Sequence, residues 1–214
     1  MKGLISPASS TPRAACGLFV LVLLVLLATG CARQEMASTT PQKPVLSPKL
    51  TPFMHFEDGN VAFVGVDVRA AQYVKRGDIF PLAIGLANRG MTSISFGRES
   101  FVLETADGDR YPLVSVEEYN RGYTRSRSDL QLLDSAQESM NTRFTSYRYQ
   151  ARNLFPVKGG SGTGTDNFEL GRMHWTLFYV YFPIPEEGIH KKEFALLVDI
   201  KEHEAPLVVR FEVK

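Results

Sequence analysis

The sequence predicts a mainly β protein, an antiparallel β-sandwich interrupted by one helical insertion. Three observations predict it. From Val61 onward, apolar residues recur at every second position in short runs. Turn signals such as Arg76-Gly77-Asp78 and Asp107-Gly108 separate those runs, and one stretch at about 117–158 abandons the period of two for a helical one. A period of two puts alternate residues on opposite faces of a strand, and short strands split by turns are what two packed sheets require.

The elements follow in order. Ala62, Val64, Val66 and Val68 share one face of a strand, with Asp67 and Arg69 on the other. Phe80, Leu82, Ile84 and Leu86 repeat the alternation, Ile94 and Phe96 alternate with Ser93 and Ser95, and Phe101 and Leu103 follow. The Asp107-Gly108 turn leads into a further strand at Tyr111–Val116. Ser128-Asp129-Leu130-Gln131 fits a capping box, and Leu130, Leu133, Gln137 and Met140 lie at helical spacing. Phe144, Tyr147, Ala151 and Leu154 continue that stripe, so the insertion reads as one long or two short helices. Gly159–Asn167 reads as a loop. Trp175–Phe182 is apolar on both faces, as a central strand covered on each side would be. Phe194, Leu196, Val198 and Ile200 line one face of the next strand, and Leu207, Val209, Phe211 and Val213 one face of the last.

Asn88-Arg89-Gly90, Ile94-Ser95-Phe96, Ser100-Phe101-Val102-Leu103 and Asp107-Gly108-Asp109-Arg110-Tyr111-Pro112 resemble the telokin-like, immunoglobulin-fold domains of many bacterial lipoproteins. The resemblance covers about residues 60–116 and, more loosely, 174–214. It implies an immunoglobulin-like sandwich over 53–214. It implies no activity, because one sandwich hosts many functions. Those domains do not typically carry so long an insertion, so the strand count between 117 and 174 stays open.

Ahead of the domain, Gly17–Ala28 is an apolar run preceded by Lys2 and Arg13, with no acid before Glu35. It falls short of the roughly 20 residues that a membrane-spanning helix needs. A basic start, a short apolar stretch and small residues before a cut make a secretory signal over 1–30. Leu27-Ala28-Thr29-Gly30-Cys31 resembles the lipobox of bacterial lipoproteins, although the usual leucine three residues before the cysteine is here Ala28. The resemblance implies a signal cut before Cys31, a diacylglyceryl group on its sulfur and a fatty acyl chain such as palmitate on its new amino group. An uncleaved signal anchor and an ordinary secreted protein are the other readings of the run. Two or more chains anchor firmly where one binds marginally. In Gram-negative lipoproteins an Asp after the cysteine is associated with the inner membrane, so Ala32 implies the outer membrane, facing the periplasm. Residues 32–52 carry four prolines. At about 3 Å per residue they make a tether of about 60 Å.

Composition excludes several function classes. Residues 1–30 hold two of the 24 basic residues and none of the 23 acids, leaving 22 against 23 in a mature chain of 184 residues. That balance gives no general attraction to nucleic acid, and export removes such a partner altogether. Cys16 and Cys31 are the only cysteines, so a disulfide, a thiol active site and cysteine-bound metal are excluded from the domain. Its stability must come from an apolar core, which this length can bury.

Candidate chemistry is sparse. The insertion carries Arg121, Arg125, Arg127, Arg143, Arg148, Arg152 and Lys158 against five acids, interleaved with Tyr119, Tyr123, Tyr147 and Tyr149. Arginine and tyrosine dominate the energetic centres of interfaces, and arginine suits anionic glycans and phosphate headgroups. Arg143, Tyr147, Arg148 and Arg152 are therefore the candidate docking surface, set against a merely solvated helix face. Gly159–Thr165 lacks the Lys-Ser/Thr of a phosphate loop. Met54-His55 and Met173-His174 suit Cu(I) by ligand softness, although the flanking Phe53, Phe56 and Trp175 point to packing. Four histidines occur without a Gly-x-Ser-x-Gly elbow or a paired carboxylate site. The expectation is a non-catalytic binding, assembly or structural module of the cell envelope, with no cofactor and no metal. It would be held to the membrane by Cys31, with other envelope proteins or anionic glycans as partners. The alternative is a periplasmic small-ligand or copper-handling domain.

Overall fold

The computed structural model describes residues 52–157 and 163–214. The signal, Cys31 and all of the tether but Pro52 lie outside the described residues, as do Lys158 and the glycines at 159–162. The described part is mainly β, built of antiparallel sheets with helices on one side.

Strands β1 (Met54–Asp58), β2 (Ala62–Asp67), β3 (Ile79–Asn88), β9 (His174–Pro183) and β7 (Arg148–Tyr149) make a five-stranded sheet in that order. Its pairings are antiparallel except β7 with β9, which run parallel. A second sheet runs β11 (Leu207–Val213), β10 (Lys192–Val198), β5 (Phe101–Thr105), β6 (Arg110–Pro112), and β4 (Ser93–Gly97) pairs with β8 (Asn167–Gly171). Phe80 on β3 meets Phe194 on β10, and Phe101 on β5 meets Phe178 on β9 edge to face. The two sheets thus bury a common aromatic core, each such ring contributing about 1.5–3 kcal/mol by burial.

The alternating runs become strands as the sequence predicts, and the all-apolar Trp175–Phe182 is explained by cover on both sides. Phe178 and Phe182 face the second sheet, whereas Trp175, Tyr179 and Tyr181 face the helical insertion. Asp67 ends β2 by accepting from the Arg69 amide (2.9 Å) and pairing with the Arg69 guanidinium. This starts α1 (Arg69–Gln72), which the strand pattern concealed.

The insertion corrects the sequence reading in three places. The strand expected at Tyr111–Val116 stops at Pro112, which has no amide hydrogen to continue a ladder, and Val116 opens a helix instead. The capping box is at Ser115, not Ser128. Ser115 Oγ accepts from the Glu118 amide (3.1 Å) and Glu118 Oε2 from the Ser115 amide (2.7 Å), starting α2 (Val116–Gly122). Ser128 lies inside α3 (Ser126–Asn141), which starts at Arg125 without a side-chain cap. The third correction is extent: helix ends at Asn141, not near 158. Thr142, Phe144, Thr145, Tyr147 and Tyr149 are poor helix formers. Phe144 drops onto the sheet and β7 pairs with β9, so residues 142–157 form an irregular strap rather than a further helix.

Two glycines let α3 approach. Gly65 and Gly85 face each other across β2 and β3. A Cβ at Gly85 would lie 2.2 Å from Met140 Sδ, and one at Gly65 would lie 2.6 Å from the Phe56 ring. Mid-strand glycine marks such a close approach. Here it makes the hole that the fully buried Met140 fills.

Candidate docking surface

The strap residues 142–157 position the candidate side chains. Phe144 is buried between Phe63 on β2 (5.2 Å between ring centroids) and Trp175 on β9 (4.9 Å). From there rings run both ways across the sheet. Phe63 meets Phe56 on β1 at 5.3 Å, and Trp175 meets Tyr149 on β7 at 5.0 Å. Tyr147 stands edge-on to Phe144. Phe56, Phe63 and Tyr147 are half-buried, and Tyr149 is 46% exposed. This is a row of aromatic rings from one edge of the five-stranded sheet to the other.

One arginine covers a ring of the row, and two more follow along the strap. Arg143 lies over the Phe56 ring at 5.2 Å, a cation–π contact at the β1 edge. Arg148 is exposed on β7, its amide donating to Met173 O (2.9 Å). Arg152 is half-buried beyond β7, its guanidinium donating to Ala151 O (3.2 Å). The structure therefore brings Arg143 and Tyr147 to the rings around Phe144, whereas Arg148 pairs with His174 and strand alternation turns its side chain to the face opposite Trp175. Between Arg143 and Arg148 the strap turns, the Tyr147 amide donating to Phe144 O (2.9 Å). From Glu138 to Asp166 the chain has four cations and no acid between them.

Other residues of the expected surface are elsewhere. Tyr119 and Tyr123 are buried, stacked at 5.6 Å and packed on Tyr181. Tyr123 donates to Asp129 Oδ2, and Tyr179 donates to Asp129 O (2.9 Å). Burial raises the Asp129 pKa above the usual carboxylate value, the Tyr123 bond and Arg125 opposing it. Burial likewise pushes the Tyr123, Tyr179 and Tyr181 phenols upward. Arg125 joins α1 to α3 by donating to Tyr73 O and lying 3.8 Å from Asp129 Oδ1. Arg121 pairs with Glu117 at 2.5 Å. Beside this cluster, a cleft lined by Tyr119, Ser126, Leu130, Asn153, Phe155 and Tyr179 holds about 20 Å³. That is room for about one water.

The two Met-His pairs do not meet. His55 aligns with Val66, Val66 with Ile84 and Ile84 with Phe178, so three strand spacings and several residues separate it from His174 at the start of β9. Met54 is buried, and His55 packs against Phe211 with its pKa pulled below 6.5 by burial and Lys214. Among the described residues no group of His, Cys, Asp and Glu could hold a metal ion.

Comparison with known proteins gives little. No protein-family model and no curated protein matches this chain. A solved structure of a "putative lipoprotein (ycdA)" from Bacillus subtilis is 12% identical, with a TM-score of 0.37, over 76% of this chain. This chain spans only 38% of that one. So remote a likeness supports no assignment of fold or function.

Sequence reasoning missed Arg172 and Met173 as part of this surface. Both are exposed, at the β8–β9 turn beside Arg148. Met173 holds φ 56, a left-handed conformation that a side chain seldom adopts, and its amide donates to Asn88 O (3.0 Å). The Met173-His174 pair was visible in the sequence as a soft ligand set, whereas its place beside β7 depends on a parallel pairing that no local pattern announces.

Proposed function

We propose that this protein is a lipid-anchored, non-catalytic binding module of the cell envelope. Cys31 holds it to a membrane, the tether gives reach, and an immunoglobulin-like sandwich presents a docking surface. The two facing sheets with their shared aromatic core support the sandwich reading. Ala32 after the cysteine favours an outer membrane facing the periplasm. Among the described residues no helix is long and apolar enough to cross a membrane.

The observation that carries the binding role is the acid-free strap, with Arg143 laid over the half-buried Phe56 ring and Arg148 and Tyr149 exposed on β7. Tyrosine and arginine with a polar surround are the make-up of an interface centre. The chain enters through β1, and Arg148 and Tyr149 lie on the opposite edge of that sheet.

The test uses two variants. Cys31→Ser should move the protein from the membrane pellet to the soluble periplasmic fraction. In that background, sedimentation with envelope material should persist and disappear when Arg143, Arg148 and Arg152 become Ser. Unchanged membrane association of Cys31→Ser contradicts the anchor, and unchanged sedimentation of the triple variant contradicts the docking surface.

A further inference from the structure

We propose that Met91, Met173 and His174 form a binding site for Cu(I). Such a site is independent of the docking surface. Two ladders end side by side there. β4 and β8 pair with Ser93 opposite Gly171, and the Arg172 amide donates to Thr92 O (3.1 Å), carrying that register one pair further. The next positions in it are Met91 and Met173. β3 and β9 pair with Ala87 opposite Trp175, and the Met173 amide donates to Asn88 O (3.0 Å), so the following positions are Asn88 and His174. The Asn88 side chain also holds the Met91 carbonyl (2.9 Å) and the Met91 amide (3.1 Å). One buried residue thus ties both methionine backbones to the end of β9, where His174 begins the strand. Methionine is long and unbranched, with three rotatable bonds, so both sulfurs can turn to a shared cation.

His174 offers one nitrogen to a metal. Its Nδ1 lies 2.9 Å from Arg172 O, and a carbonyl only accepts, so Nδ1 carries the proton and Nε2 the lone pair. A metal-bound imidazole has this arrangement, its other nitrogen donating to a carbonyl. No hydrogen bond takes up Nε2 among the described residues. A Cβ at Gly171 would lie 3.3 Å from Nδ1, so the glycine leaves room for the ring. Met173 is exposed at φ 56, where a side chain is strained, and Met91 and His174 are half-buried. Two thioethers and an imidazole are soft, neutral ligands, which suit Cu(I). Arg148, in register with His174, and Arg172 are exposed beside them. Their charge opposes a divalent cation twice as strongly as a monovalent one, and the set has no carboxylate to offset it.

Competition for Cu(I) against the chelator bicinchoninate, under anaerobic reducing conditions, tests this on the detergent-solubilised protein with free thiols blocked by N-ethylmaleimide. The expected result is transfer of one equivalent of Cu(I) to the protein, with Zn(II) bound at least a hundredfold more weakly. Met91→Leu, Met173→Leu and His174→Asn should each weaken Cu(I) binding at least tenfold. His190→Asn, exposed beyond the far end of β9, should leave it unchanged. Leucine keeps the volume of methionine, so the two Met→Leu variants remove a sulfur and keep the fold. X-ray absorption at the copper edge should show both sulfur and nitrogen neighbours. No transfer from the chelator overturns the site, as does equal affinity for Zn(II) or unchanged Cu(I) affinity in the Met91→Leu, Met173→Leu double variant. The docking surface falls separately, when the Arg143, Arg148 and Arg152 triple variant keeps its envelope association.

Discussion

At Asn88 one side-chain amide joins three segments. Its Nδ2 donates to Met91 O and Leu170 O, both at 2.9 Å, while Oδ1 accepts from the Gly90 and Met91 amides. Asn88 is wholly buried and its bond to Leu170 O is buried too, so that carbonyl has no water to turn to. Asn88→Ala should cost about 2–4 kcal/mol, read as a fall in the urea midpoint, because Leu170 O and the turn amides lose their partners. The Asn88-Arg89-Gly90 turn was legible in the sequence, but the reach of the amide to β8 was not, since 82 residues separate Asn88 from Leu170. His55 makes the second prediction at this scale. Burial, helped by Lys214 and opposed by Asp67 and Glu212, holds its folded pKa below 6.5. The unfolded chain therefore takes up the proton first as pH falls. The stability contributed is complete above about 6.5 and is lost on descent toward the folded value. Urea midpoints measured from about pH 8 down to about pH 5 should fall for the wild type and fall less steeply for His55→Phe.

Among the elements, α3 depends on the hole between Gly65 and Gly85. A methyl at Gly85 meets Met140 Sδ at 2.2 Å and Phe144 Cε2 at 3.2 Å, and the enclosed Met140 has little room to swing aside. Gly85→Ala should cost about 1–3 kcal/mol by overpacking. Met140→Ala should cost about 2–5 kcal/mol by leaving a cavity. The double variant should fall short of their sum by about 1 kcal/mol or more, because the new methyl occupies part of the vacated space. Strict additivity in urea titrations would remove Met140 as the residue that fills the hole. The helix itself was readable from the spacing of Leu133, Gln137 and Met140. Its length was not, because Phe144, Tyr147 and Leu154 happen to keep a similar spacing while they bury against the sheet as irregular chain. The true capping box was also present in the letters as Ser115-Val116-Glu117-Glu118, hidden by an expected strand that runs through it.

Over the whole molecule, the insertion is cover for the sheet. Strand β9 is apolar on both faces because one face meets the second sheet and the other meets α2, α3 and the strap. The β pattern was legible because each strand alternates, or is continuous where both faces are covered. The docking row was legible only in part. Arg143 stands next to Phe144 and Arg148 between Tyr147 and Tyr149 in sequence, but Phe56, Phe63 and Trp175 come from other strands and join through register alone. Cys31, by contrast, is read from sequence alone, and the proposed function rests on it: a binding surface held to a membrane by one lipidated residue. Intact-mass and peptide mass spectrometry of the protein extracted from membranes tests this most directly. The expected species is a chain that begins at Cys31 and carries a diacylglyceryl thioether and an amide-linked acyl chain. A chain that begins elsewhere, or an unmodified Cys31 in the membrane fraction, would contradict it.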